Sequence, residues 1–235
     1  MKKYILLPIT ILCLFSTSLA QFGIKGGVNI ATFGGDDAKQ TVNLGNFEPM
    51  LSGLPPVTVE PTSKVGFVGG ISYKVGLLFG ISIQPEVLYV QKGGVYESST
   101  ISLASLYPGG SVSGKNTFKM DYISIPVVVK YSILPLPIVK PYIVGGVSYD
   151  ILVSAKSSVE YTISGVPGYS GTQSMDEDIK ESLNKSDFSV QIGIGVEVMM
   201  LEVDARYLFG LSKIDKDGVA KMYNRGIVLT AGLRL

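Results

Sequence analysis

The residues with the chemistry to act on a substrate are few and poorly arranged for it. Gly109-Gly110-Ser111-Val112-Ser113-Gly114-Lys115-Asn116 comes within one residue of a phosphate-binding loop. Asn116 stands where a Ser or Thr would hold Mg²⁺, and no helical pattern follows to offer its N-terminus to a phosphate. A flexible Gly/Ser loop tip accounts for the segment. Ser182 and Lys185 have the spacing of a Ser–Lys nucleophile pair but lack its companion motifs. Local structure explains them: Ser174 with Glu177 is a capping box that predicts a short helix over 175–184. Asp176–Lys180 and Glu181–Lys185 are its i,i+4 pairs. Asp215-Lys216-Asp217-Gly218 is a calcium-loop fragment without the remaining ligands, and turn chemistry explains it. Asp36-Asp37 and Asp176-Glu177-Asp178 read as solvated acidic loops, the alternative being divalent ions that bridge lipopolysaccharide. The chain has no His and one Cys, which removes His-based triads, His metal sites and disulfide frameworks. No catalytic residue, cofactor or metal ligand is assigned.

Charge narrows the partners further. Lys and Arg number 20 against 19 Asp and Glu in 235 residues, so no basic excess exists to hold a nucleic acid. Charged residues make up 17% and Gly contributes 28 residues, against roughly 25% charged in soluble domains. Such a chain is not disordered; its outside need not be polar.

The first twenty residues carry a targeting pattern. Lys2 and Lys3 precede an apolar run from Tyr4 to Phe15, and Ser18 and Ala20 stand at the −3 and −1 positions of a cut before Gln21. This is a signal peptide, too short to span a bilayer. Cys13 sits inside the apolar run, after Leu12 rather than the small residue of a lipidation site. Cleavage leaves residues 21–235 as one domain without cysteine, with 18 basic and 19 acidic residues and a net charge of −1.

Downstream the hydrophobic signal has period two. Val190, Ile192, Ile194, Val196 and Val198 share one face, opposite Gln191 and Glu197. Leu201, Val203, Ala205 and Tyr207 oppose Glu202, Asp204 and Arg206. The last strand repeats the pattern with Val228 as an exception. Five further segments follow the rule, over 22–31, 64–75, 78–93, 118–131 and 139–153. Their lengths match the roughly 9–11 residues that cross a membrane at a tilt. The links alternate. Gly76-Leu77, Ser132 to Ile138 and Met199-Met200 are short; 32–63, 94–116, 154–186 and 213–223 are long. The expected fold is all-β: an eight-stranded antiparallel up-and-down transmembrane barrel with short periplasmic turns and long outer loops. Its apolar face points to lipid, so Arg at Ile194 or Val127 should be costly and Arg at Gln191 much less so. Tyr89, Tyr131, Tyr149 and Tyr207 fall on that face, as an interfacial girdle or through ordinary strand propensity.

The same pattern places charge inside. The Met199-Met200 turn sets Glu197 opposite Glu202, and like charges across a ladder need cations between them. Arg234 lies near the end of the last strand and Lys25 near the start of the first, which closes the barrel beside it. Lys25, Glu197, Glu202 and Arg234 form the candidate site, an interior charge cluster with a structural role, and Lys74 is placed to join it. An arginine fork can hold both carboxylates.

The signal peptide, Gly23-Ile24-Lys25-Gly26-Gly27-Val28-Asn29, Ile83-Gln84-Pro85-Glu86-Val87-Leu88-Tyr89, Tyr122-Ile123-Ser124-Ile125-Pro126, Lys140-Pro141-Tyr142 and the closing Gly-Leu-Arg-Leu resemble the PorT-like outer-membrane β-barrel family. The resemblance implies an eight-stranded outer-membrane barrel of a Gram-negative envelope, tied in some members to protein secretion. It brings no catalytic residues. Family members often carry a carboxylate where this chain has Ser124. The expected function is a non-enzymatic scaffold in the cell envelope. Its partners would be the bilayer, lipopolysaccharide, the β-barrel assembly machinery and a secretion or envelope protein. The competing classes are a barrel hydrolase or acyltransferase, which known examples build around His, and a soluble lipid-carrying barrel.

Overall fold

The computed structural model describes residues 20–42, 56–104, 107–134, 136, 138–168, 170–218 and 220–235. Residues 1–19 of the signal-peptide segment and the prolines of the 132–138 link lie outside them. Eight long strands follow in order: β1 Ala20–Gly34, β2 Lys64–Gly76, β3 Ile81–Glu97, β4 Ser111–Ser132, β5 Val139–Ser164, β6 Ser186–Val198, β7 Leu201–Gly210 and β8 Tyr223–Arg234. Each pairs antiparallel with its neighbours in sequence, and β8 closes on β1 from Gly23↔Arg234 to Gly34↔Tyr223. Closure removes every edge from the membrane-spanning part, as hydrocarbon requires.

Period-two patterning decides which way the wall faces. Ile192 and Ile194 are 61% and 67% exposed on the outside. Gln191, Glu197, Glu202, Asp204 and Arg206 are buried inside. A soluble carrier would show the reverse. On β4 the outward residues are apolar from Ile123 to Tyr131 and become charged at Asp121 and Lys119. That boundary coincides with a register shift at Asp121/Tyr122 opposite β5. Aromatic pairs mark the same level: Tyr149 with Phe188 at 4.8 Å, Tyr207 with Phe209 at 4.3 Å, Phe67 with Tyr89 at 6.4 Å. At the other rim Phe22 lies 4.9 Å from Tyr73. These positions are those of amphipathic rings at the two headgroup levels.

Only two of the short links turn within the described residues. Leu77–Gly80 contains a single 3-10 turn at Leu78–Gly80, so β3 starts at Ile81 rather than at 78. Met199-Met200 joins β6 to β7 and sets Val198↔Leu201 and Glu197↔Glu202. Phe79 (φ 61°) and Met199 (φ 55°) hold the left-handed conformation that glycine usually supplies.

The long connections are more ordered than their composition suggests. β4 and β5 continue about ten residues beyond the apolar band and stay paired up to Ser111↔Ser164. Ser111–Asn116 is therefore strand, and the Gly109-Gly110 tip alone turns, with Gly109 at φ 81°. The helix expected over 175–184 is absent. Gly171–Asp178 is a strand paired with β5, and Lys180–Ser182 is a 3-10 turn without a side-chain cap. A helix of that length is marginal in water. Beyond Ile151, where its pairing with β6 ends, β5 has an open edge that offers backbone partners, and Ser174 sits opposite Glu160 instead of capping. The Glu181–Lys185 ion pair does form, at 3.1 Å.

Above the membrane the interior becomes apolar. Phe33, Ala38, Val59, Tyr96, Met120, Tyr122, Leu152, Ala155 and Ile214 form one buried cluster. It joins the ends of β1, β3, β4 and β5 to the first and last outer loops and covers the barrel mouth. The Tyr96 hydroxyl donates to the Ala38 carbonyl at 2.8 Å, which pins the first loop over the opening.

Candidate functional site

The site grows from β7. Its Glu202-Val203-Asp204-Ala205-Arg206 alternation aims three charged side chains into the barrel at successive levels. Lys25 of β1 meets all three nearby carboxylates, with Nζ 3.1 Å from Glu86, 2.8 Å from Glu202 and 2.9 Å from Asp204. Arg206 grips Glu86 with two parallel hydrogen bonds of 2.9 Å and reaches Asp204 at 3.0 Å. Two parallel charge-assisted hydrogen bonds add energy and fix the geometry of the pair. Lys130 of β4 lies 2.7 Å from the second oxygen of Glu202 and 4.5 Å from the Tyr142 ring centroid. Tyr142 and Thr230 donate to Asp204 at 3.2 and 2.9 Å, and Gln84 donates to Glu86 at 2.8 Å. The Tyr142 ring lies across Gly195, where any Cβ would collide with it.

The arithmetic of this cluster is three cations against three anions, all with side chains 0–3% exposed. Neutrality matters, because an unpaired charge in this medium costs several kcal/mol. Nearer the turns, Glu197 is held by Lys74 and by Arg234 at 3.0 Å. Arg234 also donates to the Met199 carbonyl at 2.9 Å and to Gln21 at 3.3 Å.

All four residues singled out from sequence therefore point inward, but they divide between two groups. Arg234 takes Glu197 and does not bridge to Glu202, which belongs to Lys25 and Lys130. The expectation of one fork holding both carboxylates is corrected on this point. The fork is occupied at the rim by Glu197, a backbone carbonyl and Gln21. Glu86, Lys130, Asp204 and Arg206 were not in the expected set. Polar-face alternation marked each of them, but their depth depends on the stagger of strands around the barrel.

A second polar group lies higher. Along β3, Leu88 and Val90 separate Glu86 from Lys92, and they join Val68, Leu208 and Val228 in an apolar belt. The inward Val228 that broke the alternation belongs to this belt. Above it Lys92 pairs with Asp150 and, at 2.9 Å, with Asp187. Asn224 donates to Asp187 at 2.9 Å, and the Ser124 and Ser148 hydroxyls are 2.9 Å apart. Ser124 is registered with Asp150, so a carboxylate at position 124 would face Asp150 directly.

The other candidate motifs take no part. Ser182 and Lys185 lie in the outer loop, with Lys185 paired to Glu181. Asp215–Gly218 is a turn closed by the Gly218 amide donating to the Asp215 carbonyl at 3.2 Å. The Asp37 carboxylate accepts from the Lys221 amide at 2.7 Å, which ties the first outer loop to the last.

Cys13 is the chain's one cysteine, so a cysteine introduced in a loop or turn makes topology directly testable. Asp217→Cys, in the last outer loop, is expected to react with a membrane-impermeant maleimide on intact cells. Met200→Cys, in a short turn, is expected to react only after the outer membrane is opened. The reverse pattern would mean that the barrel sits the other way up.

Residues 15–216 match the family described as outer membrane protein beta-barrel domain. None of the curated proteins matches the chain. Among solved structures, the chain is similar to Ail, the attachment invasion locus protein of Yersinia pestis, at 14% identity and a TM-score of 0.39, covering 92% of this chain and 99% of that one. Neisserial surface protein A is similar at 13% identity and a TM-score of 0.42, covering 92% and 99%. The outer membrane protease OmpT from Escherichia coli is similar at 14% identity and a TM-score of 0.41, covering 92% and 96%.

Proposed function

Because the chain belongs to the outer membrane protein β-barrel domain family, we propose that it is a non-conducting, non-enzymatic scaffold of the outer membrane. On this reading residues 1–20 are a signal peptide cleaved after Ala20, and the barrel assembly machinery inserts the remainder beside lipopolysaccharide. The observation that supports it best is the filled interior. A neutral six-charge network, an apolar belt, the Lys92 group and the apolar cap succeed one another along the barrel axis. Eight strands leave an interior that side chains of this size fill. A barrel enzyme would need an accessible acid, base or nucleophile. Each carboxylate of the network is instead engaged by cations that reach across the barrel from other strands.

The finer placement rests on the PorT-like motifs: a scaffold that serves secretion or envelope organisation by holding a partner protein. Two measurements test the reading. Purified protein in planar lipid bilayers should give no steady ionic conductance, and an ohmic open state would overturn the closed-scaffold reading. Photo-cross-linking in intact cells should capture an envelope or secretion protein on an outer loop or a periplasmic turn; capture of lipid alone would leave the scaffold without a client.

A further inference from the structure

Gly171–Asp178 is a strand with one free edge. On one side it pairs with β5 through eight residues, from Gly171↔Ile163 to Asp178↔Lys156. Among the described residues no strand lies on its other side. All eight of its residues are exposed. The sheet behind it is not loose. Leu103, Val112, Ile163 and Val166 pack into their own buried core beyond the membrane, so the edge is presented on a stiff support. Alternate backbone N–H and C=O groups along such an edge project into water, ready to accept another strand.

Charge gives the edge a preference. Asp176, Glu177 and Asp178 occupy its membrane-proximal half, and the strand contains no basic residue. Across the ladder Asp176 and Glu177 face Ser158 and Ser157, and only Asp178 faces a cation, Lys156. No salt bridge to these three acids occurs among the described residues; the Asp178 carboxylate accepts from the Lys180 amide at 3.0 Å. Copies of this chain are poor occupants. Two barrels in one membrane share an orientation, so their edges can meet only in parallel. In register, that sets each acid beside its own duplicate, and like charges destabilise a ladder.

We propose that the free edge of Gly171–Asp178 binds an extended segment of another protein by strand addition, with Lys or Arg of that segment opposite Asp176, Glu177 and Asp178. This deepens the scaffold reading by naming the surface and chemistry of its client, and it rests on that reading for its biological setting. The edge supplies main-chain hydrogen bonds that any sequence can use. The acids supply selection, through faster encounter and rejection of acidic strands.

The test uses the full mature chain in detergent micelles. The probe is a fluorescent synthetic peptide of alternating Val and Thr with Lys residues at one end. Saturable binding is expected, with slowed amide exchange across 171–178. N-methylation of alternate peptide amides, which leaves every side chain in place, should weaken binding at least about tenfold, or about 1.4 kcal/mol. Replacing the peptide's Lys by Glu should do the same. So should the variant Asp176→Asn/Glu177→Gln/Asp178→Asn at low salt, with less effect at high salt. Equal binding of the N-methylated peptide would overturn strand addition, and indifference to the triple substitution would overturn the charge preference. Absence of saturable binding would make the edge a blunted one with no client. Protection of 171–178 without peptide, together with a dimeric mass, would assign the edge to a second copy. Bilayer conductance is untouched by any of these outcomes, so failure here and failure of the closed-scaffold reading are distinguishable.

Discussion

Arg206→Met is expected to lower the unfolding free energy by about 3–5 kcal/mol. Methionine keeps the apolar stem of arginine but not the guanidinium, so the void it leaves is the same in the single and the double variant and cancels between them. What disappears is the bidentate grip on Glu86 and the contact to Asp204. Three buried carboxylates would then share Lys25 and Lys130. Restoring the balance should restore much of the stability: Glu86→Gln with Arg206→Met leaves two cations facing two anions and is expected to be more stable than Arg206→Met alone. Arg234→Met should cost clearly less than Arg206→Met. Its side chain is 12% exposed, and Lys74 remains on Glu197. Urea unfolding in lipid vesicles, followed by far-ultraviolet circular dichroism because the chain has no Trp, measures all four proteins. A double variant no more stable than the single one would show that charge balance is not what holds the interior.

Ile194→Arg should cost about 2–4 kcal/mol in the same assay. Ile194 is 67% exposed on the outer face, midway between the two aromatic rims, so its replacement would put a guanidinium in hydrocarbon. Met175→Arg is the matched control. Met175 is as exposed, at 68%, but lies on the outer sheet beyond the bilayer, and its substitution should be close to neutral. Gln191 is a poor control despite its polar face. It is 5% exposed and its side-chain oxygen accepts from Arg206 at 3.4 Å, so a second guanidinium there would crowd the first. Equal losses at Ile194 and Met175 would contradict a lipid-facing Ile194.

The alternation of Val190 to Val198 and of Leu201 to Tyr207 told which side chains enter the barrel. The two-residue turn between them set Glu197 against Glu202. Two things were hidden for physical reasons. The first is depth. Lys25 finds Glu86 and Glu202 finds Lys130 only once the shear of the barrel is fixed, and no local pattern encodes shear. The second is the strand Gly171–Asp178. Both of its faces are solvated, so it has no apolar period, and its Ser174 and Glu177 imitate a helix start. The edge of β5 overrides that local preference. The same extension of β4 and β5 turned Ser111–Asn116, expected to belong to a flexible loop tip, into paired sheet.

The change from a polar to an apolar interior near Tyr122 divides the molecule thermodynamically. The cap of Phe33, Val59, Tyr96, Met120 and Ile214 is held by water's rejection of apolar surface, so its opening carries a positive heat-capacity change and it weakens on cooling. The part within the bilayer gains little from that force, since lipid already bathes its outer face; ion pairs and a closed hydrogen-bonded ladder hold it instead. One chain therefore answers to two solvents. The cap forms the less durable cooperative unit and opens over a barrel that stays closed beneath it.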